Sequence, residues 1–494
     1  MVKKKQVFLT GLALLAICLP LAFDLGRAPL QTWDEARQAV NAFELLHAGG
    51  QWLVTTFAYH PDLWNTKPPL LIWLQALSMA ALGPTPLAVR LPTLLATVGT
   101  VGLLCAAGRR LGRPGLGLLA GALLVTMPGY LGPHVGRSGD YDALLALAVL
   151  AQLLVTFAYA ETGRGRYLAL AAAAVGAAVL TKGVAGLLGV PSLGLYLRLR
   201  GQLGPALRRP VFWLAGAGAL AAPALYYLLR ERALPGYWAA VWANEVGGRY
   251  TNTISAVHRP WFYHLYNLGP QTWPWGLLLP LALLLVAGPA TASRRLGGLL
   301  ALLLLNWLLV ISLAQTKLEW YTAPMLPPLA LLLALALDAA YGWARRRWPA
   351  GGGPARHPAL VAGALALALV ALPYGLALRR IVLDRRGDLA WGGLNSYNSY
   401  LGDYRPPRRA AQLLVYYPIT YYGGLQFNQE VQARRGLAIT HCSTDSLPAG
   451  LAAGRRVLVC LPHLRARLLQ RYRVRLLDQR EVCSLYEVQG PAQP

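Results

Sequence analysis

Eleven apolar runs divide this chain, at residues 7–23, 87–108, 114–131, 143–160, 167–181, 183–197, 211–229, 274–290, 297–314, 321–341 and 358–377. No globular core needs so many, and a helix that crosses a bilayer needs about 20 predominantly apolar residues. The runs predict an α-helical polytopic membrane protein with roughly 11–13 transmembrane helices. Composition agrees: of 494 residues 56% are hydrophobic and 13% charged, whereas soluble domains carry about 25% charged residues. Disordered, collagen-like and disulfide-scaffold classes are excluded on the same grounds.

The net charge of +26 would suggest nucleic acid in a soluble protein. In a membrane protein, Lys and Arg gather in cytoplasmic loops instead. Alternating the spans from an inner N-terminus (Lys3, Lys4, Lys5) as an uncleaved first helix puts 18 basic residues in the inner loops. They are those three lysines, Arg109, Arg110, Arg113, Arg164, Arg166, Arg198, Arg200, Arg208, Arg209, Arg294, Arg295, Arg345, Arg346, Arg347 and Arg356. Glu161 and Asp338 are the two acids on that side. The partners implied are membrane lipids, with no nucleic acid.

The opposite face holds 11 basic and 10 acidic residues before residue 378. Carboxylates so near span ends are costly unless hydrated or paired, and suggest function. Two outer loops are long, 24–86 and 230–273. The first carries a helical stretch from Trp33 to His47 and a thirteen-residue apolar stretch, 70–82, read as an interfacial helix. From residue 378 the chain turns polar, with β-type runs at 412–417, 456–461, 474–477 and 482–488 and a helix at 463–471. The expected organisation is a transmembrane module, 1–377, and a small extracytoplasmic α/β domain, 378–494. Gly351–Gly353 reads as an inner linker, and Gly115 and Gly117 as helix packing. The five cysteines form no metal spacing; Cys442, Cys460 and Cys483 leave room for one disulfide.

Four islands share the outer face: Thr32-Trp33-Asp34-Glu35-Ala36-Arg37, Lys67-Pro68-Pro69-Leu70, Arg137-Ser138-Gly139-Asp140-Tyr141-Asp142, and Thr316-Lys317-Leu318-Glu319-Trp320-Tyr321. Asn244-Glu245 and Arg249-Tyr250 join them from the second loop. Carboxylates suit a general base or a clamp on sugar hydroxyls. Lys, Arg and Tyr suit a phosphate leaving group. An enzyme using a lipid-phosphate sugar donor needs both sets at one interface.

The motifs "DEAR", "KPPLLIWLQAL", "RLPTLLATVGTVGLL", "DALLAL", "LTKGVAGLL" and "KLEWYTAPMLPPLALLLA" resemble, in that order, the GT-C membrane glycosyltransferases of the protein O-mannosyltransferase and lipid A aminoarabinose transferase type. The resemblance covers roughly residues 7–342 and a similar outer tail. It implies transfer of a sugar from a polyprenyl-phosphate donor to a glycolipid such as lipid A, a cell-envelope glycan or a protein. The reaction would take place on the extracytoplasmic face of a bacterial plasma membrane. It implies Asp34 as the carboxylate that activates the acceptor, with Glu35 beside it, and Asp142 as a further site carboxylate. Asp140 is acidic where the family usually is not, and either of the two could act. Lys67, Arg249 and Tyr321 are expected at the donor phosphate, and Arg37 and Lys317 from the same islands are candidates with them. The lipid A branch often has Glu before Lys-Pro-Pro; here it is Thr66, so no metal ligand carries over. His258 and His264, the nearest outer histidine pair, have no standard metal spacing, and a divalent metal is unsupported by the sequence.

Plainer readings stand beside these. Asp34 could cap its helix, Lys67 could anchor at the interface, and Arg249 and Tyr321 could belong to an aromatic belt. Lys182 reads as a snorkelling anchor and falls outside the predicted site. A transporter or flippase of lipid-linked sugars is the alternative function. It would require inverted repeats and charges near the bilayer midplane, and the sequence contains no internal repeat.

Overall fold

The computed structural model describes the chain apart from residues 1, 48–51, 254–257, 287–290, 348–357, 384–393, 406–411, 419–422, 444–446, 449, 493 and 494. The Gly351–Gly353 linker and Arg356 lie outside the described residues. Two compact units emerge, one of Met1–Phe23, Pro61–Leu74 and Leu91–Ile381, the other of Asp24–His60, Gln75–Arg90 and Val382–Pro494.

Among the described residues, seven helices are long and apolar enough to cross a membrane: Pro86–Arg110, Tyr141–Thr162, Arg166–Leu187, Pro210–Ala233, Ala292–Leu313, Glu319–Arg347 and Ala364–Leu383. Each coincides with a run seen in the sequence. The other four runs contain shorter helical segments: Thr10–Ala22, Pro114–Val125 and Trp275–Leu284, and Val190–Leu199. Prolines account for part of this shortening, since Pro114, Pro128 and Pro191 each stand at a helix N-terminus, where a missing N–H costs nothing. The chain is a polytopic membrane protein.

The first unit is organised around the helices Tyr141–Thr162 and Leu326–Arg347, whose cores are almost wholly buried. Tyr141–Thr162 starts sharply because the Asp140 side chain accepts from the Tyr141 N–H, and it ends at Gly163 in the left-handed conformation. Gly117 packs against the backbone of Cys105, where a Cβ would collide; Gly115 has open space, so only one of the pair serves close helix packing. The two acids assigned to inner loops are both paired, Glu161 with Arg295 and Asp338 with Arg113.

The second unit contains a five-stranded mixed sheet. In spatial order its strands are Ala438–Cys442, Gln412–Tyr416, Arg456–Val459, Cys483–Pro491 and Tyr472–Arg480, the first three parallel and the rest antiparallel. A disulfide joins Cys460 to Cys483, leaving Cys442 as a buried free thiol. The edge strand Ala438–Cys442 is not evident in the sequence, because three of its five residues are exposed and it has no apolar run. In the same unit, Arg90 is buried and gathers the preceding loop onto one guanidinium. Its nitrogens donate to both Glu35 oxygens, at 2.6 and 2.8 Å, and to the carbonyls of Leu25, Ala28 and Pro29.

Candidate functional site

Within the first unit a pocket opens between six helical elements. Its polar lining is Asp142, Lys182, Glu245, Arg249, Tyr250 and Tyr321, and Leu145, Val184, Leu188, Trp307 and Ile311 form apolar wall. Asp142 sits in the first turn of Tyr141–Thr162. Lys182 is the last residue of Arg166–Lys182, where Gly183, at φ 56°, turns the chain into a short 3-10 segment. A side chain at Gly183 would also meet the Tyr227 hydroxyl at 2.8 Å. Glu245 and Arg249 share the wide helical turn Trp242–Thr251. Tyr321 lies in the 3-10 turn Glu319–Met325, and its carbonyl accepts from the Trp307 indole at 2.9 Å.

The ionic groups here pair in a defined way. Lys182 Nζ donates to both Asp142 oxygens, at 2.6 and 2.7 Å. Glu245 is 3.5 Å from Lys67 Nζ and 3.6 Å from Arg249 Nε, and accepts from the Thr66 hydroxyl at 2.8 Å. The Arg249 guanidinium donates to the Tyr321 hydroxyl. Lys67 also lies 5.5 Å from the centre of the Tyr141 ring, whose hydroxyl donates to Asn65. The Tyr237 hydroxyl donates to the Thr66 carbonyl at 2.8 Å, tying down the turn before Pro68. Burial alone would raise the Glu245 pKa, but Lys67, Arg249 and the Thr66 hydroxyl outweigh it and hold the carboxyl at about 2. Three cations thus face two carboxylates, an arrangement that welcomes one further anion.

Of the residues expected from sequence, Asp142, Arg249 and Tyr321 meet in this pocket, and Lys67 reaches it through Glu245. Asp140 does not line it; its oxygens serve the Tyr141 N–H and the His134 ring, which stacks on Trp320 at 3.7 Å. Lys317 is buried and donates to the Ala314 carbonyl at 2.6 Å, with burial lowering its pKa. It too lies off the pocket lining. His264 is buried, and burial with Lys317 and Arg259 nearby brings its pKa to about 4, so the ring is neutral.

Lys182 is the residue that the sequence reading missed. A lysine closing an apolar helix at membrane depth is itself a functional signal. The snorkelling reading fails because its ammonium turns onto Asp142.

In the second unit Asp34 opens the helix Asp34–His47 and is half-buried. Glu35 is 1% exposed, with its carboxylate committed to Arg90 and to the Gln31 N–H. Arg37 lies 4.6 Å above the Phe57 ring.

Residues 66–227 match the family described as dolichyl-phosphate-mannose-protein mannosyltransferase. Over 341 residues, 66% of this chain, it is 32% identical to the undecaprenyl phosphate-alpha-4-amino-4-deoxy-L-arabinose arabinosyl transferase of Pseudomonas aeruginosa. The Shewanella sediminis protein of the same name is 28% identical over 343 residues, again 66% of this chain. The chain spans only 59% and 60% of the length of these curated relatives. Its fold is similar to that of ArnT from Cupriavidus metallidurans bound to undecaprenyl phosphate, with a TM-score of 0.64, 17% identity, and 99% of this chain and 98% of that one covered. It is also similar to the archaeal oligosaccharyltransferase AglB from Archaeoglobus fulgidus, in complex with an inhibitory peptide and a dolichol-phosphate. There the TM-score is 0.54 and the identity 14%, covering 91% of this chain and 65% of that one. The chain is thus similar in sequence, over part of its length, to membrane glycosyltransferases named for lipid-phosphate sugar donors, and its fold is similar to that of ArnT.

Proposed function

We propose that this protein transfers a sugar from a polyprenyl-phosphate donor to an acceptor on the extracytoplasmic face of a bacterial plasma membrane. The observation that carries this reading is the pocket itself, with Lys182 and Arg249 beside an apolar wall and Lys67 paired to the Glu245 that lines it. Such a pocket suits a lipid phosphate, which brings negative charge and hydrocarbon together. The donor phosphate would draw Lys67 and Arg249 away from Glu245, while the Tyr321 hydroxyl offers a further hydrogen bond. Relatives named for undecaprenyl-phosphate sugar transfer support the same donor class.

In the reaction, Asp34 takes the proton from the acceptor hydroxyl and the freed oxygen attacks the anomeric carbon. The bond from that carbon to the phosphate oxygen breaks, its electron pair leaves with the polyprenyl phosphate, and the anomeric configuration inverts. Lys67, Lys182 and Arg249 offset the charge that develops on the departing phosphate. Asp142 keeps Lys182 charged and aimed. Glu35, through Arg90, braces the turn that carries Asp34. The acceptor is a glycolipid such as lipid A, a cell-envelope glycan or a protein. The Cys460–Cys483 disulfide supports an extracytoplasmic second unit, since such bonds persist in oxidising compartments.

The test is reconstitution in vesicles with a panel of undecaprenyl-phosphate sugars, read by release of undecaprenyl phosphate. One donor should be consumed when acceptor is present. Asp34→Asn should slow turnover by about 10²–10⁴-fold, the usual contribution of a general base. Donor that crosses the bilayer without being consumed would instead establish the flippase. Wild-type turnover by Asp34→Asn would remove Asp34 from the chemistry.

A further inference from the structure

Asp34 stands at the end of a short segment held by residues from the far end of the chain, all within the second unit. The Thr32 hydroxyl donates to Asn395 Oδ1 at 2.8 Å. Asn398 Nδ2 donates to the Leu30 carbonyl at 3.1 Å. Both asparagines belong to the helix Leu394–Asp403, one turn apart on one face, and Thr32, Asn395 and Asn398 are all buried. A buried hydroxyl and carbonyl must find partners or lose stability. Here the partners come from more than 360 residues away.

A third element makes room for this contact. Gly424, at the start of the helix Gly423–Ala433, lies directly against the Asn398 amide, and a Cβ there would collide with it. The same helix packs on the body of Asp34–His47, where Phe427 meets Phe43 edge-on at 6.2 Å, and on the segment after it, where Glu430 accepts from the Tyr59 hydroxyl at 3.0 Å. On its other flank the segment is bound by Arg90, through Glu35 and the Leu25, Ala28 and Pro29 carbonyls. Residues 30–32 are therefore fastened from the tail, and the residues around them from Arg90.

We propose that Asn395 and Asn398 are positioning residues for Asp34, so that the C-terminal α/β segment sets the geometry of the carboxylate that activates the acceptor. The inference rests on the base assignment made above. It gives the tail a part in the chemical step rather than in donor capture. Hydrogen-bonded supports remote from the reacting atoms matter because a displacement of about 1 Å in a catalytic group can cost roughly 10²-fold in rate.

The experiment compares Thr32→Val, Thr32→Ser, Asn395→Leu and Gly424→Ala in the full-length protein in vesicles. It measures kcat, the donor KM and the acceptor KM, each normalised to folded protein by thermal melting. Thr32→Val and Asn395→Leu should lower kcat about 10- to 100-fold, with the donor KM unchanged. Thr32→Ser, which keeps the hydroxyl, should retain kcat. Gly424→Ala, which displaces Asn398 from another element, should reproduce the kcat loss. Wild-type kcat in Thr32→Val and Asn395→Leu overturns the proposal. So does an equal loss in Thr32→Ser, or a loss confined to the donor KM. If Thr32→Val fails to fold, a wild-type kcat in Gly424→Ala is enough to reject it. Failure of the underlying reading is seen separately, as full turnover by Asp34→Asn.

Discussion

Lys182 holds Asp142 with its ammonium 2.6 and 2.7 Å from the two carboxylate oxygens, joining the end of one membrane helix to the beginning of another. A buried pair of this kind stabilises weakly as a pair, but removing one partner is costly. Lys182→Met should destabilise the protein by about 3–5 kcal/mol by leaving the buried Asp142 carboxyl without its counter-ion. Lys182→Met with Asp142→Leu should recover much of that loss in a thermal melt while remaining inactive. A double variant no more stable than the single one would mean that the pair is not coupled.

Lys67 should govern donor use more than acceptor use. A hydrogen bond to a charged group contributes about 1.5–3 kcal/mol, so Lys67→Ala should raise the donor KM or lower kcat/KM roughly 10- to 100-fold. Lys67→Arg should rescue only in part, because a planar fork does not replace a compact ammonium. Kinetics with donor and acceptor varied separately would reveal an acceptor-specific defect, which counts against the phosphate role.

Glu245 makes stability depend on acid. Its carboxyl titrates at about 2 in the folded protein, against 4.5 ordinarily. A depressed pKa stabilises the fold fully above the ordinary value, and the contribution disappears as pH falls from 4.5 towards 2. Melting temperature measured across that window should fall more steeply for the wild type than for Glu245→Gln. Parallel curves would show that the carboxylate is not held by Lys67 and Arg249.

Arg90 and Glu35 should behave as a structural unit. Arg90→Met leaves a buried carboxylate without its counter-ion and takes the Arg90 donors from three carbonyls, and should cost about 3–5 kcal/mol. Arg90→Lys should fail to rescue, since an ammonium cannot span Glu35 and three carbonyls at once. Denaturation of the purified variants would test both. Near-native stability of Arg90→Lys would refute the clamp.

Sidedness can be read by cysteine labelling with a membrane-impermeant reagent. Cys18, Cys105 and Cys442 should be replaced and the Cys460–Cys483 bond retained, because losing a native disulfide typically costs about 2–5 kcal/mol. Cysteines at His258 and Ser443 should label in intact cells, and one at Gly165 only after lysis. Protection of Ser443 with labelling of His258 would put the tail inside and shift the span count by one.

The membrane class was legible because hydrocarbon leaves no alternative. Apolar runs near 20 residues must become helices, and the seven long helices among the described residues fall on runs visible in the sequence. Candidate site residues could be named from residue type, since few chemistries need Asp, Lys, Arg and Tyr at a membrane surface. Their partners could not be named in this way. Whether Lys182 snorkels or turns inward depends on Asp142, 40 positions earlier, arriving within 2.7 Å. That Glu35 is committed to an ion pair follows from Arg90, 55 positions later, reaching both of its oxygens. The strand Ala438–Cys442 and the helix Leu394–Asp403 carry weak local patterns and are defined by what they pack against. Local sequence determined which apolar segments are helical and which residues carry charge. Only the tertiary structure decided which charges meet, because ion pairing depends on distances that chain separation does not encode.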